Sequence, residues 1–518
     1  MKRISYLLTM LLFIFTTTAT AHDFVVNGIY YNITSSADKT VEATFRGASY
    51  NEYSNEYSDN ITIPQNVTYN GETYRVTGIC KFAFRGCISL ENIVISSSVT
   101  NIDDGAFANC PNLETIIVEA DNVKYDSRNN CNAIIESAAN KLITGCKNTI
   151  IPDGIETIGT RAFYGCENLE SIAIPNSVTS IGEAAFCLCS SLKNIEIPDG
   201  VTSIEGYTFN DCSSLESIVI PKSVSRIGRT VFQGCTSLKS VEIPNGVTSI
   251  EDYTFNDCSS LESIKIPNGI VDIDTCAFYN CAKLESIEIP NSVTSIGEAA
   301  FCLCSSLKNI EIPDGVTSIE GYTFNKCSSL ESIVIPKSVS RIGRTVFQGC
   351  TSLKSVEIPN GVTSIEDYTF NDCSSLESIV IPNGVTSIGK DAFYRCSSLE
   401  TLYLSNTIEN IGDYAFANCN NILEIKVGAK NAITANKNIF TTETYSKARL
   451  YVPVGSKNSY EKVTPWNKFH IAEMDFTGID KMEHKEKGME TIYDLNGCIV
   501  KNPTKGIYII NGKKTIVK

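Results

Sequence analysis

Histidine is almost absent from this chain of 518 residues, which contains only His22, His470 and His484. A zinc site of the HExxH type and a Ser-His-Asp set both require histidine at a defined spacing from its partners. Neither arrangement can be drawn between His22 and His470, where most of the sequence lies. No Walker loop and no GxGxxG sequence is present either. We therefore expect a protein without enzymatic activity, without a bound metal and without a cofactor.

Long apolar runs are also missing, except at the start of the chain. Residues 1–21 carry two basic residues, a short apolar run and an Ala-Thr-Ala end, an order typical of a cleaved secretory signal peptide. This run is too short to span a membrane, and no other stretch approaches the roughly 20 apolar residues that a span needs. We expect a secreted or outer cell-surface protein with no membrane span.

Basic residues are outnumbered by acidic ones. The chain has 43 Lys and Arg against 58 Asp and Glu, which gives a net charge of −15. An acidic protein repels phosphate backbones instead of releasing their counterions. Nucleic acid is therefore not an expected partner.

Proline recurs at a fixed interval, and this interval determines the predicted fold. Ile-Pro pairs follow one another every 23 residues, with the prolines at Pro152, Pro175, Pro198, Pro221, Pro244, Pro267, Pro290, Pro313, Pro336, Pro359 and Pro382. A repeat of this length is one supersecondary unit that must stack on its neighbours to bury its apolar side. The sequence predicts a repeat solenoid whose 23-residue units stack short parallel strands into an elongated, curved rod.

Each unit contains a predicted strand and an aromatic residue that faces the core. Between Leu215 and Leu238, the pattern L-x-x-I-x-I alternates as a short strand with one buried face does. Pro221 cannot donate to a strand ladder, so the strand ends there. A Phe-x-x-Cys pair follows, and it keeps the same phase in fourteen units from Phe84 to Cys419. We expect continuous columns of Leu, Ile, Phe and Cys in the core.

Cysteine is abundant, with 21 residues, and in an exported chain this number suggests disulfides. Fourteen of the cysteines, however, share one repeat phase, which favours buried, reduced thiols that pack as small hydrophobes. Disulfides between neighbouring units are an alternative, because successive units are close enough for them. Metal binding is a third, since Cys187 with Cys189 and Cys302 with Cys304 form two Cys-x-Cys elements.

The repeat resembles that of the BspA-like leucine-rich-repeat family of bacterial surface proteins, whose unit is similar to IPxxVTSIGxxAFxxCxSLxxI. This chain has IPNSVTSIGEAAFCLCSSLKNI at residues 174–195 and IPNGVTSIGKDAFYRCSSLETL at residues 381–402. The resemblance extends over roughly residues 22–475 and includes the segments DFVVNGIYYNI and YVPVGSKNSYEKVTPWNKF. It implies a leucine-rich-repeat fold and a role in adhesion, because family members bind host matrix or other cells.

Breaks in the periodicity divide the chain into five predicted segments. In chain order these are the signal peptide, an N-terminal cap, the leucine-rich-repeat solenoid with two longer units, a C-terminal cap, and a linker with a short β tail. Their bounds are 1–21, 22–63, 64–427 (longer units at 64–95 and 119–151), 428–475 and 476–518.

The β tail resembles the end of the C-terminal sorting domain of the type IX secretion system. Asn496-Gly497 and Asn511-Gly512 are hairpin turn signals between short apolar strands. The residues in places that match the sorting pattern are Tyr493, Asp494, Gly497, Gly506, Tyr508, Gly512, Lys514 and Lys518. The tail is shorter than that family's usual domain, so a working sorting signal and a vestigial tail are both open.

A long block of sequence occurs twice. Residues 174–264 recur as residues 289–379 with one change, from Asp211 to Lys326, after a shift of five units. Such a duplication lengthens a binding surface, whereas it would duplicate or displace a catalytic cleft. Gene slippage without functional meaning is the alternative explanation.

Three outward positions of each predicted strand form rows along the solenoid. Two rows consist mainly of Lys and Glu, and a row of Asn and Ser lies between them. The predicted ligand-facing residues are Glu196, Glu216, Lys239, Glu242, Glu262, Lys265, Glu285, Glu288, Lys308, Glu311, Glu331, Lys354, Glu357, Glu377 and Tyr403. The rows either bind a protein or glycan on a long concave face, or only keep the sheet soluble through cross-strand pairs of about 0.2 to 1 kcal/mol each.

Together these patterns predict an exported surface protein that acts in adhesion or protein-protein recognition, with matrix-type proteins of a host or of neighbouring cells as partners. A glycan-binding or nutrient-capture scaffold is the first alternative. It would need aromatic platforms on the exposed rows, where Tyr403 is nearly alone. A purely structural surface-layer protein is the second alternative, and the ligand and the oligomeric state are open.

Overall fold

The computed structural model describes residues 22–476 and, beyond them, only the backbone of three strands, Ile492–Tyr493, Gly506–Ile510 and Lys513–Val517. The predicted signal peptide lies outside the described residues. The chain forms two compact units. One comprises Met1–Ala138 and Leu142–Thr149, and the other comprises Ala139–Lys141 and Ile150–Lys518.

The first unit contains a mixed sheet and a parallel sheet. The strand Glu72–Ile79 of the mixed sheet buries Tyr74 and Val76 and exposes Arg75 between them, as a strand with one buried face does. The mixed sheet has the order Phe24–Val26, Ile29–Ser35, Thr40–Thr44, Glu72–Ile79 and Asn66–Tyr69, with Asn101–Ile102 also beside Glu72–Ile79. The parallel sheet consists of Ser58–Ile63, Ser89–Ile95 and Thr115–Val118.

Shorter elements complete this part of the chain. Tyr125–Asp126 pairs with Ala133–Glu136 in the antiparallel direction. One 3-10 turn, Arg128–Asn130, lies before Ala133–Glu136 in the chain, and a second, Ser137–Ala139, lies after it. The strand Lys141–Gly145 follows. The core of the first unit includes an aromatic stack in which the ring centroids of Phe84 and Phe107 are 5.0 Å apart.

The second unit is a stack of 23-residue coils, most of which have a long and a short strand. The long strand Asn194–Glu196 runs parallel to Ser217–Val219, and each residue lies beside its equivalent 23 positions later. Its alternation buries Ile195 and exposes the residues on either side, as the L-x-x-I-x-I pattern predicts. The short strand, for example Arg226–Ile227, follows the proline turn and buries Ile227.

The strands of the second unit form two rows. The long strands are Asn194–Glu196, Ser217–Val219, Ser240–Glu242, Ser263–Lys265, Asn309–Glu311, Ser332–Val334, Ser378–Ile381, Thr401–Leu404, Glu424–Val427, Arg449–Pro453 and His470–Met474. The short strands are Thr157–Ile158, Ser180–Ile181, Ser203–Ile204, Arg226–Ile227, Ser249–Ile250, Asp272–Ile273, Ser295–Ile296, Ser318–Ile319, Arg341–Ile342, Ser364–Ile365, Ser387–Ile388, Asn410–Ile411 and Thr434–Ala435. In the long row, Ser171 and Ser286 form only isolated bridges, and residues 353–359 form no strand. The predicted repeat solenoid is confirmed.

A column of phenylalanines forms the centre of the second unit. From Phe163 to Phe440, the ring centroids of successive coils are between 5.1 and 5.9 Å apart, and the ring planes are nearly parallel. Parallel aromatic rings at this separation gain stacking energy beyond their buried area. The predicted Phe column is confirmed.

The cysteines of the repeat phase form a second column beside the rings. Cys189 Sγ donates a hydrogen bond of 3.2 Å to the carbonyl oxygen of Phe163 in the preceding coil. The contact recurs along the unit as far as Cys419 and Phe393, at 3.0 Å. The structure holds these cysteines as buried free thiols, which agrees with packing as the reason for their phase.

Two short helices lie near the end of the second unit. Thr442–Lys447 begins after Thr441, whose hydroxyl accepts a hydrogen bond of 3.4 Å from the Thr444 backbone N–H. Lys457–Glu461 and the 3-10 turn Trp466–Lys468 follow it. No helix in the described residues is long and apolar enough to cross a membrane.

The three strands of the tail form an antiparallel sheet. Gly506–Ile510 pairs with Ile492–Tyr493 on one side and with Lys513–Val517 on the other. Ile510 lies opposite Lys513. The residues of both predicted turns, Asn496-Gly497 and Asn511-Gly512, lie outside the described residues.

Candidate functional site: the strand face

The outward side chains of the long strands, and of the equivalent positions in the coils that lack a long strand, form one surface of the second unit, which we call the strand face. Each coil contributes three positions, as Lys193, Asn194 and Glu196 do around the buried Ile195. Because the strands are parallel and in register, equivalent side chains of successive coils lie side by side. The backbones that carry them are about 4.8 Å apart.

The structure places all the predicted ligand-facing residues on the strand face. They are exposed, except Glu331 and Tyr403, which are half-buried. The 23-residue register brings them together, since residues far apart in the sequence become neighbours only when the coils stack. Their role in binding stays a prediction.

Salt bridges join successive coils along the strand face. Lys239 Nζ lies 2.9 Å from Glu216, and Lys265 Nζ lies 2.7 Å from Glu242. Hydrogen bonds from these lysines hold the pKa of Glu216 and of Glu242 below the ordinary value of glutamate. Equivalent pairs are Lys193–Glu170 at 3.2 Å, Lys308–Glu285 at 2.8 Å and Lys354–Glu331 at 2.7 Å. Exposed pairs of this kind contribute little to stability.

Glutamates outnumber their lysine partners on the strand face. Within residues 22–476, six of the predicted glutamates make no salt bridge: Glu196, Glu262, Glu288, Glu311, Glu357 and Glu377. The duplication shows how this surplus arises, because Glu242 is followed in the next coil by Lys265, whereas its duplicate Glu357 is followed by Val380. A surplus of negative charge on one face attracts a basic partner.

Three exposed valines interrupt the charged row. Val219, Val334 and Val380 keep 61%, 55% and 49% of their surface exposed. Val219 and Val334 are duplicates of each other, so the same apolar contact is offered twice, five coils apart. The repeat phase of the sequence places these valines in the outward row, but the predicted ligand-facing residues do not include them.

The strand face becomes more apolar toward the end of the second unit. Val380 lies opposite Tyr403, Tyr403 opposite Lys426, and Lys426 opposite Tyr451. Leu423, in the adjacent row, is 56% exposed. A strict 23-residue period places Lys426 beside Tyr403 but misses the last pair, because Lys426 and Tyr451 are 25 residues apart.

The two Cys-x-Cys elements are not arranged as metal ligands. Cys189 Sγ donates to the Phe163 carbonyl oxygen, while Cys187 Sγ lies 3.4 Å from Asn210 Oδ1. Burial raises the pKa of Cys187 to about 12 and that of Cys302 to about 11. Burial therefore favours the protonated thiol of both residues. No group of three His, Cys, Asp or Glu that could hold a metal occurs in the described residues.

Comparison with protein families identifies the repeat. The family model described as the BspA type leucine rich repeat region matches residues 47–136, 133–248, 225–354 and 317–447. The chain belongs to this BspA-type leucine-rich-repeat family. Its strand face is thus the long-strand surface of a BspA-type solenoid, a fold that typically serves as a non-enzymatic binding scaffold.

The chain is also similar to solved structures. A leucine-rich-repeat protein from Bacteroides ovatus is 29% identical, with a TM-score of 0.53, over 88% of this chain and 100% of that chain. A leucine-rich cell surface protein from Faecalibacterium prausnitzii is 25% identical, with a TM-score of 0.38, over 78% of this chain and 94% of that chain. A leucine-rich-repeat protein from Eubacterium ventriosum is 21% identical, with a TM-score of 0.45, over 72% and 93%. A comparison with curated proteins finds no match.

Proposed function

We propose that this BspA-type protein is exported to the cell surface and acts in adhesion, by recognising protein partners through its strand face. The observation that carries the proposal is the combination of surplus glutamates with exposed valines on one regular surface. Stacked repeats commonly use such extended surfaces to bind proteins. Matrix-type proteins of a host or of neighbouring cells are the expected partners.

The chemistry of the strand face defines the kind of partner surface that fits it. Glu311 and Glu357, which lack a lysine partner, flank Val334 in the same row, and Val380 follows Glu357. Charges at a rim mainly steer the approach of a partner of opposite sign, whereas desolvated apolar contacts supply affinity. The partner that fits is therefore a protein with a basic surface around apolar side chains.

The two ends of the chain would bring the strand face to the cell surface. Residues 1–21 would direct export as a cleaved signal peptide. Residues 476–518 would act as a sorting tail, with the resemblance to the type IX sorting pattern and the antiparallel strands of the tail in support. On this proposal the repeats bind the partner protein, and the tail directs the chain to the cell surface.

Binding of residues 22–518 to a panel of immobilised matrix proteins tests the recognition proposal. The variant Val334→Asp/Val380→Asp is expected to weaken binding at least about tenfold, because it places charge in the apolar contact. Glu311→Lys/Glu357→Lys is expected to slow association and to reduce its dependence on salt.

Matched controls lie elsewhere on the second unit. Val271, which is 40% exposed beside a short strand, supplies Val271→Asp. The exposed Glu183, which is not on the strand face, supplies Glu183→Lys. Equal losses in the control and strand-face variants would place recognition outside the strand face. Failure of the wild-type chain to bind any matrix protein would overturn the proposed adhesion.

A further inference from the structure

A row of tyrosines lies on the second unit, in the segment of the coil between the short strand and the core phenylalanine. Each of these tyrosines stands two residues before a phenylalanine of the central column. We call the set the tyrosine row, and it consists of Tyr207, Tyr253, Tyr322, Tyr368 and Tyr414. Their φ angles lie between 58° and 62°, in the left-handed region.

The backbone gives no reason for tyrosine at this position. In other coils the same position is occupied by Ala184, Thr230, Ala299 and Thr345, with φ between 55° and 63°. Both β-branched and bulky side chains are unfavourable in the left-handed region. The position is nevertheless occupied by alanine and threonine as well as tyrosine, so the backbone does not select tyrosine.

Core packing does not explain the tyrosines either. Tyr253 and Tyr414 keep 41% and 43% of their surface exposed, and the other members of the row are half-buried. Phe255 and Phe416, two residues further on, are completely buried in the column. Tyr414 also lies outside the duplicated block, so duplication alone does not account for the row.

The spacing of the row is regular where it is longest. Tyr322, Tyr368 and Tyr414 recur every second coil, and the smaller residues Thr345 and Asp391 occupy the coils between them. Two coils correspond to about 10 Å. The row thus offers one aromatic platform for every 10 Å or so along the stack.

Charged groups accompany the rings. The Arg344 guanidinium carbon lies over the Tyr322 ring, 5.3 Å from its centre, and Lys390 Nζ lies over the Tyr368 ring, 5.9 Å from its centre, so each cation occupies one face of its ring. Asp367 directly precedes Tyr368 and is exposed. Apolar ring surface beside a few charged donors and acceptors suits a ligand that has both C–H faces and hydroxyl groups. Sugars have this composition.

We propose that the tyrosine row binds a linear polysaccharide of β-1,4-linked hexopyranoses. In such a chain consecutive rings are turned over relative to each other, so every second ring presents the same face in the same direction. The length of two such rings is close to the spacing of two coils. An α-1,4-linked chain curls into a helix and does not present a straight series of faces. This site is separate from the strand face and does not depend on the proposed adhesion.

Affinity electrophoresis of residues 22–518 tests the inference. Native gels that contain hydroxyethylcellulose or glucomannan, both β-1,4-linked, are expected to retard the wild-type protein, while gels that contain dextran or soluble starch are not. The triple variant Tyr322→Ala/Tyr368→Ala/Tyr414→Ala is expected to raise the dissociation constant at least about tenfold, because aromatic anchors dominate such contacts.

Two controls separate this result from misfolding and from the strand face. Alanine already occupies the same backbone position at Ala184 and Ala299, so the triple variant should keep the wild-type melting temperature. Val334→Asp/Val380→Asp should bind the polysaccharide as the wild type does. The inference is overturned if neither β-1,4-linked polysaccharide retards the chain, or if the triple variant is retarded equally. Loss of matrix-protein binding in the triple variant, without polysaccharide binding in the wild type, would assign the row to a protein partner instead.

Discussion

Cys212 Sγ donates a hydrogen bond of 3.1 Å to the carbonyl oxygen of Phe186, one coil earlier in the stack. The thiol fills a small site beside the phenylalanine column and at the same time pairs a buried backbone acceptor. A disulfide would remove the proton that makes this bond. The repeat phase of cysteine therefore follows from a contact that requires the reduced form.

Thiol titration should distinguish buried cysteines from disulfides. Burial raises the pKa of Cys212 and Cys327 well above the ordinary value, so little thiolate forms in the folded protein at pH 8. We expect the half-buried Cys80 and Cys276 to react first with a thiol reagent, and most of the others only after denaturation without reductant. If denatured protein still shows almost no thiols, disulfides hold the column.

Replacement of one phenylalanine should open the stack locally. The Phe255 ring centroid lies 5.4 Å from that of Phe232 and 5.5 Å from that of Phe278. Phe255→Ala should cost about 3 to 5 kcal/mol through the cavity that it leaves. Because each coil contacts only its neighbours, hydrogen exchange should rise first around residues 244–266. Tyr253→Ala, on the exposed side of the same coil, is the control. Exchange that rises uniformly, or first at the ends of the unit, would contradict the prediction.

The exposed pair of Glu242 and Lys265 should give a small stability that depends on pH. The hydrogen bond from Lys265 lowers the pKa of Glu242, so the folded state binds a proton less readily than the unfolded state. The contribution is complete above the ordinary glutamate pKa of 4.5 and is lost as the pH falls through the lower folded value. The melting-temperature difference between the wild type and Glu242→Gln should therefore shrink from pH 7 to pH 3, and should be smaller in about 1 M salt.

The duplicate position supplies the control for this pair. Glu357 is followed by Val380 where Glu242 is followed by Lys265, so Glu357→Gln removes no salt bridge. A pH-dependent difference of the same size in both variants would show that the ion pair is not its source.

Deletion of residues 476–518 should separate sorting from folding. The tail lacks both the L-x-x-I-x-I strand and the Phe-x-x-Cys pair, so it cannot extend the repeat columns. The truncated protein should keep the thermal unfolding of the repeats and the affinity for its ligand, but should accumulate in the periplasm. Cell fractionation measures this distribution. Normal amounts of truncated protein at the cell surface would show that the tail is not a sorting signal.

The coil and its core were accessible from the sequence because a strict period links side-chain direction to position. Once Pro221 and Pro244 are known to be equivalent, the residues between them need to be interpreted only once, and Phe232 and Cys235 are assigned to the core in every coil. The antiparallel strands of the tail were also predictable, because Asn-Gly between short apolar runs is a local signal.

Other features depend on contacts between coils that a single repeat does not contain. The 23-residue period places Lys265 beside Glu242 and Val380 beside Glu357, but only the structure shows that Lys265 and Glu242 form a salt bridge and that a 25-residue step aligns Tyr451 with Lys426. Aromatic platforms were expected only on the long strands, whereas the tyrosine row follows the short strands.

The sequence by itself determined the period, the family, the identity of the core columns and the outward phase of the charged rows, because each follows from spacing along one chain. Only the tertiary structure decided which charges form salt bridges, how far the tyrosines are exposed, and which thiols contact which carbonyl oxygens. The physical reason is that burial and pairing depend on the neighbouring coil. Two identical repeats such as those of Glu242 and Glu357 therefore acquire different surroundings when the coils next to them differ.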